Sequence, residues 1–412
     1  MTSQMQVNAD RLWKSLMDMA QIGATEKGGV CRLALTDLDK QARDLFVKWC
    51  QEAGCTIKVD KMGNIFARRS GKDNSLAPVV TGSHIDSQPT GGKFDGVYGV
   101  LSGLEVIRTL NDLKIETLRP IEASIWTNEE GSRFAPAMIA SGIFAGIFDL
   151  DYGLNSADLE GKTMGQELAR IGYAGNEPVG GRPIHAFFEA HIEQGPILEH
   201  EKKTIGIVEG GQGQRWMEVT MIGRESHAGP TPMRIRQDAM VGAAEVITEV
   251  NKIGNKYKPN ACATVGLVQC SPNSRNTIPG KVFFTIDLRH PEDEILSKMA
   301  EEAKMAAHAA AEKNGLQLEF KEIWYLPPVK FNADCVAAVK NATKELGFNS
   351  MSIISGAGHD ALYLNRVAPA AMVFIPCKGG ISHNEIEDAK KEDCAAGTSV
   401  LLRAMVERAN AL

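Results

Sequence analysis

Apolar residues recur at helical spacing near the start of the chain. Leu12, Trp13, Leu16 and Met19 follow Asn8 and Asp10, either of which can cap a first helix. Thr36 caps a second, with Leu38, Ala42, Leu45, Phe46 and Trp49 on one face and Gly54 as its stop. The period then changes. Residues 56–69 read as a hairpin turning at Met62-Gly63-Asn64. Short apolar runs at 78–82, 120–127, 185–189 and 370–376 read as buried strands, and 97–113 as a helix. The first run delivers Ser83-His84 and the second Asn128-Glu129-Glu130, while the last two place His191 and His383 just beyond their ends. Strands alternating with helices predict an α/β fold with a mostly parallel sheet covered on both faces. Chemistry in such sheets sits at the carboxyl ends of the strands.

From about 213 to 321 the rhythm differs. A strand at 216–222, a helix at about 236–253, strands at 261–269 and 281–287, a helix at 292–314 and a strand at 316–320 give the order β-α-β-β-α-β. That is the order of a ferredoxin-like unit. It is an insertion, because His383 comes after it. The expected organisation is a discontinuous domain, 1–212 with 326–412, interrupted by an α+β domain at 213–325.

Composition narrows the partners. A formal charge of −6 argues against a nucleic-acid partner. No apolar run approaches the ~18 residues needed to span a bilayer, so no membrane partner is expected. The polar stretch 1–8 lacks the basic start and apolar middle of a signal peptide. The eight cysteines contain no Cys-x-x-Cys pair and read as reduced thiols without a nucleophile's neighbourhood. A cytoplasmic location is the expectation.

Five metal-type side chains stand at the edges of apolar segments: His84, Asp95, Glu130, His191 and His383. Three imidazoles and two carboxylates suit a borderline divalent cation such as zinc, manganese, cobalt or nickel. Five protein ligands exceed what one open catalytic ion needs, and they fit two ions sharing a bridging carboxylate. Asp86 is placed to hold the other ring nitrogen of His84. Asp95, among glycines in Gly91-Gly92-Lys93-Phe94-Asp95-Gly96, has a plainer alternative as the cap of the helix that follows. Glu129 and Glu130 precede Gly131, which allows a sharp turn, and adjacent acids there can divide labour, one ligating and one moving protons. A metal-free scaffold on this fold would have lost at least one ligand, whereas all five are present.

With these residues assembled, the chain resembles the dinuclear metallo-amidohydrolases of the M20 peptidase superfamily. Within them it looks like the branch of N-carbamoyl-L-amino acid hydrolases, β-ureidopropionases and allantoate amidohydrolases. The motifs carrying this run the length of the chain: Gly82-Ser83-His84-Ile85-Asp86-Ser87, the Gly91–Gly96 run, Thr127-Asn128-Glu129-Glu130-Gly131, His191-Ile192-Glu193-Gln194-Gly195, His227-Ala228-Gly229-Pro230-Thr231-Pro232-Met233, Asn276-Thr277-Ile278-Pro279-Gly280, Ser355-Gly356-Ala357-Gly358-His359-Asp360 and Gly379-Gly380-Ile381-Ser382-His383. The resemblance implies that Asp95 bridges two divalent ions, that His84 and His191 complete one site and Glu130 and His383 the other, and that Glu129 is the general base. It implies that the insertion is a lid and dimerisation domain, hence a homodimer, and that His227 stabilises the oxyanion. It further implies that Arg289 clamps a substrate carboxylate, a role for which the plainer alternative is a surface salt bridge, and that Gln194, Gln214, Asn276, Gly358 and His359 hold the rest of a small anionic ureido substrate. The expected reaction is hydrolysis of N-carbamoyl amino acids, with allantoate amidohydrolysis as the alternative. Pro230 departs from the threonine common in relatives and lies beside His227.

Overall fold

A computed structural model describes residues 5–411. Sixteen strands are seen among them: β1 Thr56–Val59, β2 Ile65–Arg69, β3 Val79–Ser83, β4 Ile121–Ile125, β5 Ala186–Ile192, β6 Ile205–Gly211, β7 Gly213–Ile222, β8 Ser226–His227, β9 Cys262–Thr264, β10 Val268–Ser271, β11 Thr277–Ile278, β12 Lys281–His290, β13 Gln317–Leu326, β14 Val329–Lys330, β15 Ser350–Ser355 and β16 Ala370–Ile375. The chain divides into two compact units. One runs up to Glu209 and resumes from Lys330; the other is Gly210–Val329.

The first unit is built on a nine-stranded sheet in the order β1-β2-β4-β3-β5-β16-β6-β14, with β15 also on β6. Only the centre is parallel: β4, β3, β5 and β16 run together. The joins of β1 to β2, β2 to β4 and β16 to β6 are antiparallel. The expected mostly parallel sheet is therefore a mixed one. The tight turn between β1 and β2 forces an antiparallel pair, which then adds to the edge of the parallel core. The parallel strands are the ones buried along their whole length, as Ile121–Ile125 and Ala370–Ile375 show. Burial on both faces explains why they read as unbroken apolar runs rather than alternating ones. Helices Val97–Asp112 and Lys391–Asn410 pack against these strands and each other.

Local capping follows the sequence. Asn8 accepts from Arg11 N–H, and Thr36 from Asp39 N–H. The helix after Asp95 differs from expectation, because its cap is Gly96 and the Asp95 side chain turns elsewhere. His191 also differs: it lies inside β5 rather than beyond it. His383 lies in a loop eight positions after the end of β16, held at φ 53°.

The second unit is a five-stranded sheet in the order β10-β12-β7-β13, with β9 also on β12. The pairings of β10 with β12, β12 with β7, β12 with β9 and β7 with β13 are antiparallel. Helices Ala239–Lys256 and Asp293–Lys313 complete a β-α-β-β-α-β unit. The strand expected at 261–269 is two short pieces separated by Val265-Gly266-Leu267, since glycine weakens a strand interior. The period-two alternation of β7 and β12 separates two faces. Met217, Val219, Met221, Phe284, Ile286 and Leu288 join the helices in a core. Gln214, Trp216, Asp287 and Arg289 occupy the opposite face in two cross-strand pairs. Among the described residues no helix is long and apolar enough to cross a membrane.

Phe284 is fully buried in that core. Phe284→Ala is expected to cost about 3–5 kcal/mol in denaturant unfolding. A loss under about 1 kcal/mol would mean that the core of this unit is not packed as described.

Candidate active site

The carboxyl ends of β3 and β4 deliver their acids and imidazole through two tight connections. Gly96 has φ +66°, and a Cβ there would stand 2.4 Å from the His84 ring, so glycine is required where the Asp95 loop crosses that histidine. After β4, Asn128 (φ 58°) and Gly131 (φ 66°) bracket the two acids in left-handed conformations. The Asn128 amide donates to Phe134 O at 2.7 Å, tying the turn.

Asp86 acts differently from expectation. His84 Nδ1 bonds the Asp86 backbone carbonyl at 2.9 Å. The Asp86 carboxylate lies 3.9 Å from that nitrogen. Instead it accepts from the backbone N–H groups of Glu129 (3.3 Å) and Glu130 (3.2 Å). One residue thus orients the imidazole with its main chain and the acid pair with its side chain. The two-residue spacing leaves the carboxylate too short a reach to serve the ring as well.

The five proposed ligands converge as two groups sharing Asp95: His84, Asp95 and His191, all buried, and Asp95, Glu130 and His383, which opens to the surface. Asp95 Oδ1 stands 3.6 Å from His84 Nε2 and 3.2 Å from His191 Nε2. Asp95 Oδ2 stands 3.3 Å from His383 Nε2, and that nitrogen is 3.2 Å from Glu130 Oε2. Each carboxylate oxygen therefore faces a different group.

The donor set fits metal ions. His191 Nδ1 bonds Ile192 O at 2.9 Å, as His84 Nδ1 bonds Asp86 O. A carbonyl only accepts, so both Nδ1 atoms carry a proton and both Nε2 atoms face Asp95. The Gly96 N–H donates to His191 Nε2 at 3.2 Å, which agrees. A nitrogen so placed needs a proton or a metal cation between it and the buried anion. Two ligands about 2.1 Å from a tetrahedral ion lie about 3.4 Å apart, within the observed spread.

The electrostatics carry the same demand. Burial would lift the Asp95 carboxyl, but hydrogen bonds from His191, His383 and His84 hold it well below the usual carboxylate range. Hydrogen bonds to Asp95 and Glu130 push His383 up to about 10. The carboxylates thus favour cations at these imidazole nitrogens.

Glu129 stands 3.5 Å from His84 Nε2 and is outside both groups. Burial raises its carboxyl, the nearby His84 opposes this, and Asp360, Glu130 and Asp95 raise it further, leaving it well above the ordinary range. A buried acid with a raised pKa beside a cation site is suited to carrying a proton near neutral pH.

A third cluster, Glu189, His191 and His359, is not an independent metal site. Glu189 accepts Ser83 Oγ–H at 2.6 Å and Ala361 N–H at 2.9 Å, so both its oxygens are engaged. His191 Nε2 is turned to Asp95 Oδ1 and the Gly96 N–H, and its Nδ1 to Ile192 O. For Gly358-His359 the expectation was a substrate contact by backbone or side chain. The His359 side chain is buried, its ring centroid 4.5 Å from that of His191, and burial holds its pKa well below the ordinary value. The neighbouring Gly358 is exposed. Gln194 donates to Asp95 Oδ2 at 2.9 Å and contacts Ser382 Oγ at 3.2 Å, so in this structure it supports the shared carboxylate. Sequence reasoning missed Gln88, which donates to Glu130 Oε2 at 2.8 Å, and Ser382, whose Oγ lies 3.0 Å from Asp95 Oδ2. Their only signal was adjacency to the histidine motifs.

The other expected residues lie in the second unit. His227 on β8 pairs with Thr277 on β11, beside Asn276. His227 Nδ1 accepts the Gly229 N–H at 3.0 Å, so its proton sits on Nε2. Arg236 donates to Ala228 O and Thr231 O, holding both ends of the loop that carries Pro230. Arg289 meets Asp287 through Nη2 at 2.9 Å and through Nε at 3.2 Å. The Gln214 amide oxygen accepts from Trp216 Nε1 at 2.5 Å and from Arg289 Nη2 at 3.1 Å.

The family model described as peptidase family M20/M25/M40 matches residues 80–407. An N-carbamoyl-L-amino-acid amidohydrolase of Rhizobium meliloti is 50% identical over 98% of this chain and 97% of its own. An allantoate amidohydrolase of Bacillus subtilis is 32% identical over 93% of each. A solved hydantoinase/carbamoylase family amidase from Burkholderia multivorans superposes with a TM-score of 0.96 at 61% identity, covering 99% of both chains. Matched along nearly its whole length in sequence and in fold, the chain belongs to the M20/M25/M40 peptidase family and, within it, to the amidohydrolases of the hydantoinase/carbamoylase branch.

Proposed function

We propose that the protein hydrolyses the carbamoyl C–N bond of N-carbamoyl amino acids, releasing amino acid, ammonia and carbon dioxide, with two divalent metal ions per subunit. The observation that carries this reading is the Asp95 carboxylate turned between two donor groups, with the extra acid Glu129 beside one of them. Identity with named N-carbamoyl-L-amino-acid amidohydrolases supports the substrate class. His84, Asp95 and His191 would hold one ion, and Asp95, Glu130 and His383 the other.

When bound, such ions polarise the substrate oxygen and lower the pKa of water toward neutrality. A ureido carbon is a poor electrophile, because two nitrogens donate into it. Glu129 takes the proton of the attacking water and returns it to the departing nitrogen. His227, protonated on Nε2, donates to the developing oxyanion. Arg289 takes the substrate carboxylate side-on, in the fork geometry that Asp287 already uses. Asn276, Gln214 and the Gly358 backbone supply neutral donors and acceptors for the ureido group. By the family resemblance, the inserted unit is the lid and dimerisation domain of a homodimer. A cytoplasmic setting agrees with eight unpaired cysteines. Allantoate, which carries two ureido groups, is the second reading, on the strength of the similar Bacillus subtilis enzyme.

Metal analysis of the reconstituted protein should find two ions per chain. Metal at a hundredfold its Kd should raise unfolding stability by about 2.7 kcal/mol per site; no shift on adding zinc, manganese or cobalt would remove metal from the reading. Glu129→Gln should lower kcat by about 10²–10⁴-fold with the metal content unchanged; a wild-type rate would cancel its role as base. In an ammonia-release assay, carbamoyl-L-amino acids should outpace carbamoyl-β-alanine and allantoate. Arg289→Ala should raise KM by about 10–100-fold, the worth of a charged hydrogen-bonded contact; an unchanged KM would take the guanidinium off the carboxylate.

A further inference from the structure

The loop between β16 and helix Lys391–Asn410 carries His383, one side chain of which is half exposed. This loop has little regular structure of its own beyond a short turn at Lys378–Gly380. Four residues past His383, Glu387 is buried, 1% exposed. Its Oε1 accepts the backbone N–H groups of Phe94 at 2.9 Å and of Asp95 at 3.1 Å. Its Oε2 accepts the Ser382 hydroxyl at 2.8 Å. The same hydroxyl is 3.0 Å from Asp95 Oδ2. One carboxylate thus grips the main chain of the shared acid and the residue next to His383, across 292 positions of sequence.

The fit is close. A Cβ on Gly92 would lie 2.1 Å from the Glu387 carboxyl carbon, which accounts for the second glycine of the Gly91-Gly92 pair. The loop is closed around this anchor by the Lys378 N–H donating to Asp388 O and the Glu387 N–H donating to Asn384 O.

We propose that Glu387 is a positioning residue for the metal centre, fixing Asp95 and His383 at the separation at which both engage one ion. Without it, the His383 loop must be ordered by the metal itself, and that ordering entropy is subtracted from the binding free energy. Partners that orient ligands in this way typically contribute 10–100-fold in metal affinity. Glutamine can replace the acid here. Its amide oxygen still accepts the two N–H groups, while its NH₂ donates to Ser382 Oγ and leaves the Ser382 proton for Asp95.

The inference rests on the reading of Asp95 and His383 as ligands, and the test separates the two. Full-length protein is stripped, reconstituted with Mn²⁺ and dialysed against graded chelator, with metal per chain measured throughout. A parent protein that binds no metal overturns the ligand reading. With a parent that binds, Glu387→Ala should weaken the less tightly held ion about 10–100-fold, and Glu387→Gln should stay within about threefold of the parent, since its geometry preserves the contacts. Ser382→Ala, which removes a single hydroxyl, should weaken the same ion severalfold while the metal-free melting temperature stays that of the parent. If Glu387→Ala does not fold, the Gln and Ser382→Ala variants decide the matter. Metal affinity within twofold of the parent in Glu387→Ala, or in Ser382→Ala, overturns the proposal.

Discussion

Asp95 presents one carboxylate oxygen to His84 and His191 and the other to His383, in a place from which water is almost entirely excluded. A buried anion is costly by several kcal/mol unless compensated. Three imidazole nitrogens and the Gln194 amide face it and supply that compensation. That buried charge is the constraint on which the rest of the first unit depends. Backbone carbonyls fix the tautomers of His84 and His191, and the Asp86 carboxylate pins the turn that bears Glu129 and Glu130. Gln194, Ser382 and Glu387 surround Asp95 from three directions. Such a site favours positive charge inside it, so any cation it takes is coupled to the folding of these loops.

The parallel centre of the sheet is what lets residues so far apart in sequence meet there. β3, β4, β5 and β16 run in one direction, so their carboxyl ends lie along one edge. Apolar side chains on both faces hold the strands in register, and the polar residues follow where those runs stop. The antiparallel flanks extend the sheet without adding ligands. The second unit solves a different problem. Its helices cover one sheet face, leaving Gln214, Trp216, Asp287 and Arg289 on the other as a polar and aromatic surface suited to recognition rather than bond breaking.

The sequence made the candidate ligands legible because metal chemistry tolerates few substitutes, and because each of His84, Asp95, Glu130 and His191 stands beside glycines or at the end of an apolar run. The β-α-β-β-α-β order of the inserted segment was readable from the same periodicity. Strand direction was not, since an apolar run looks alike in parallel and antiparallel surroundings. The long helices at Ala333–Leu346 and Lys391–Asn410 were not singled out either. The second is buried along so much of its length that its amphipathic signal is weak.

What the sequence determined by itself was the kind of chemistry: imidazoles and carboxylates in motifs shared with amidohydrolases. Tertiary structure alone decided which atoms do the holding. Asp86 orients His84 by its main chain, His359 turns inward, and Glu387 reaches Asp95 from the far end of the chain. A hydrogen bond depends on positions to a few tenths of an ångström. Those positions are set by strand register and loop closure across hundreds of residues, and local pattern does not carry that information.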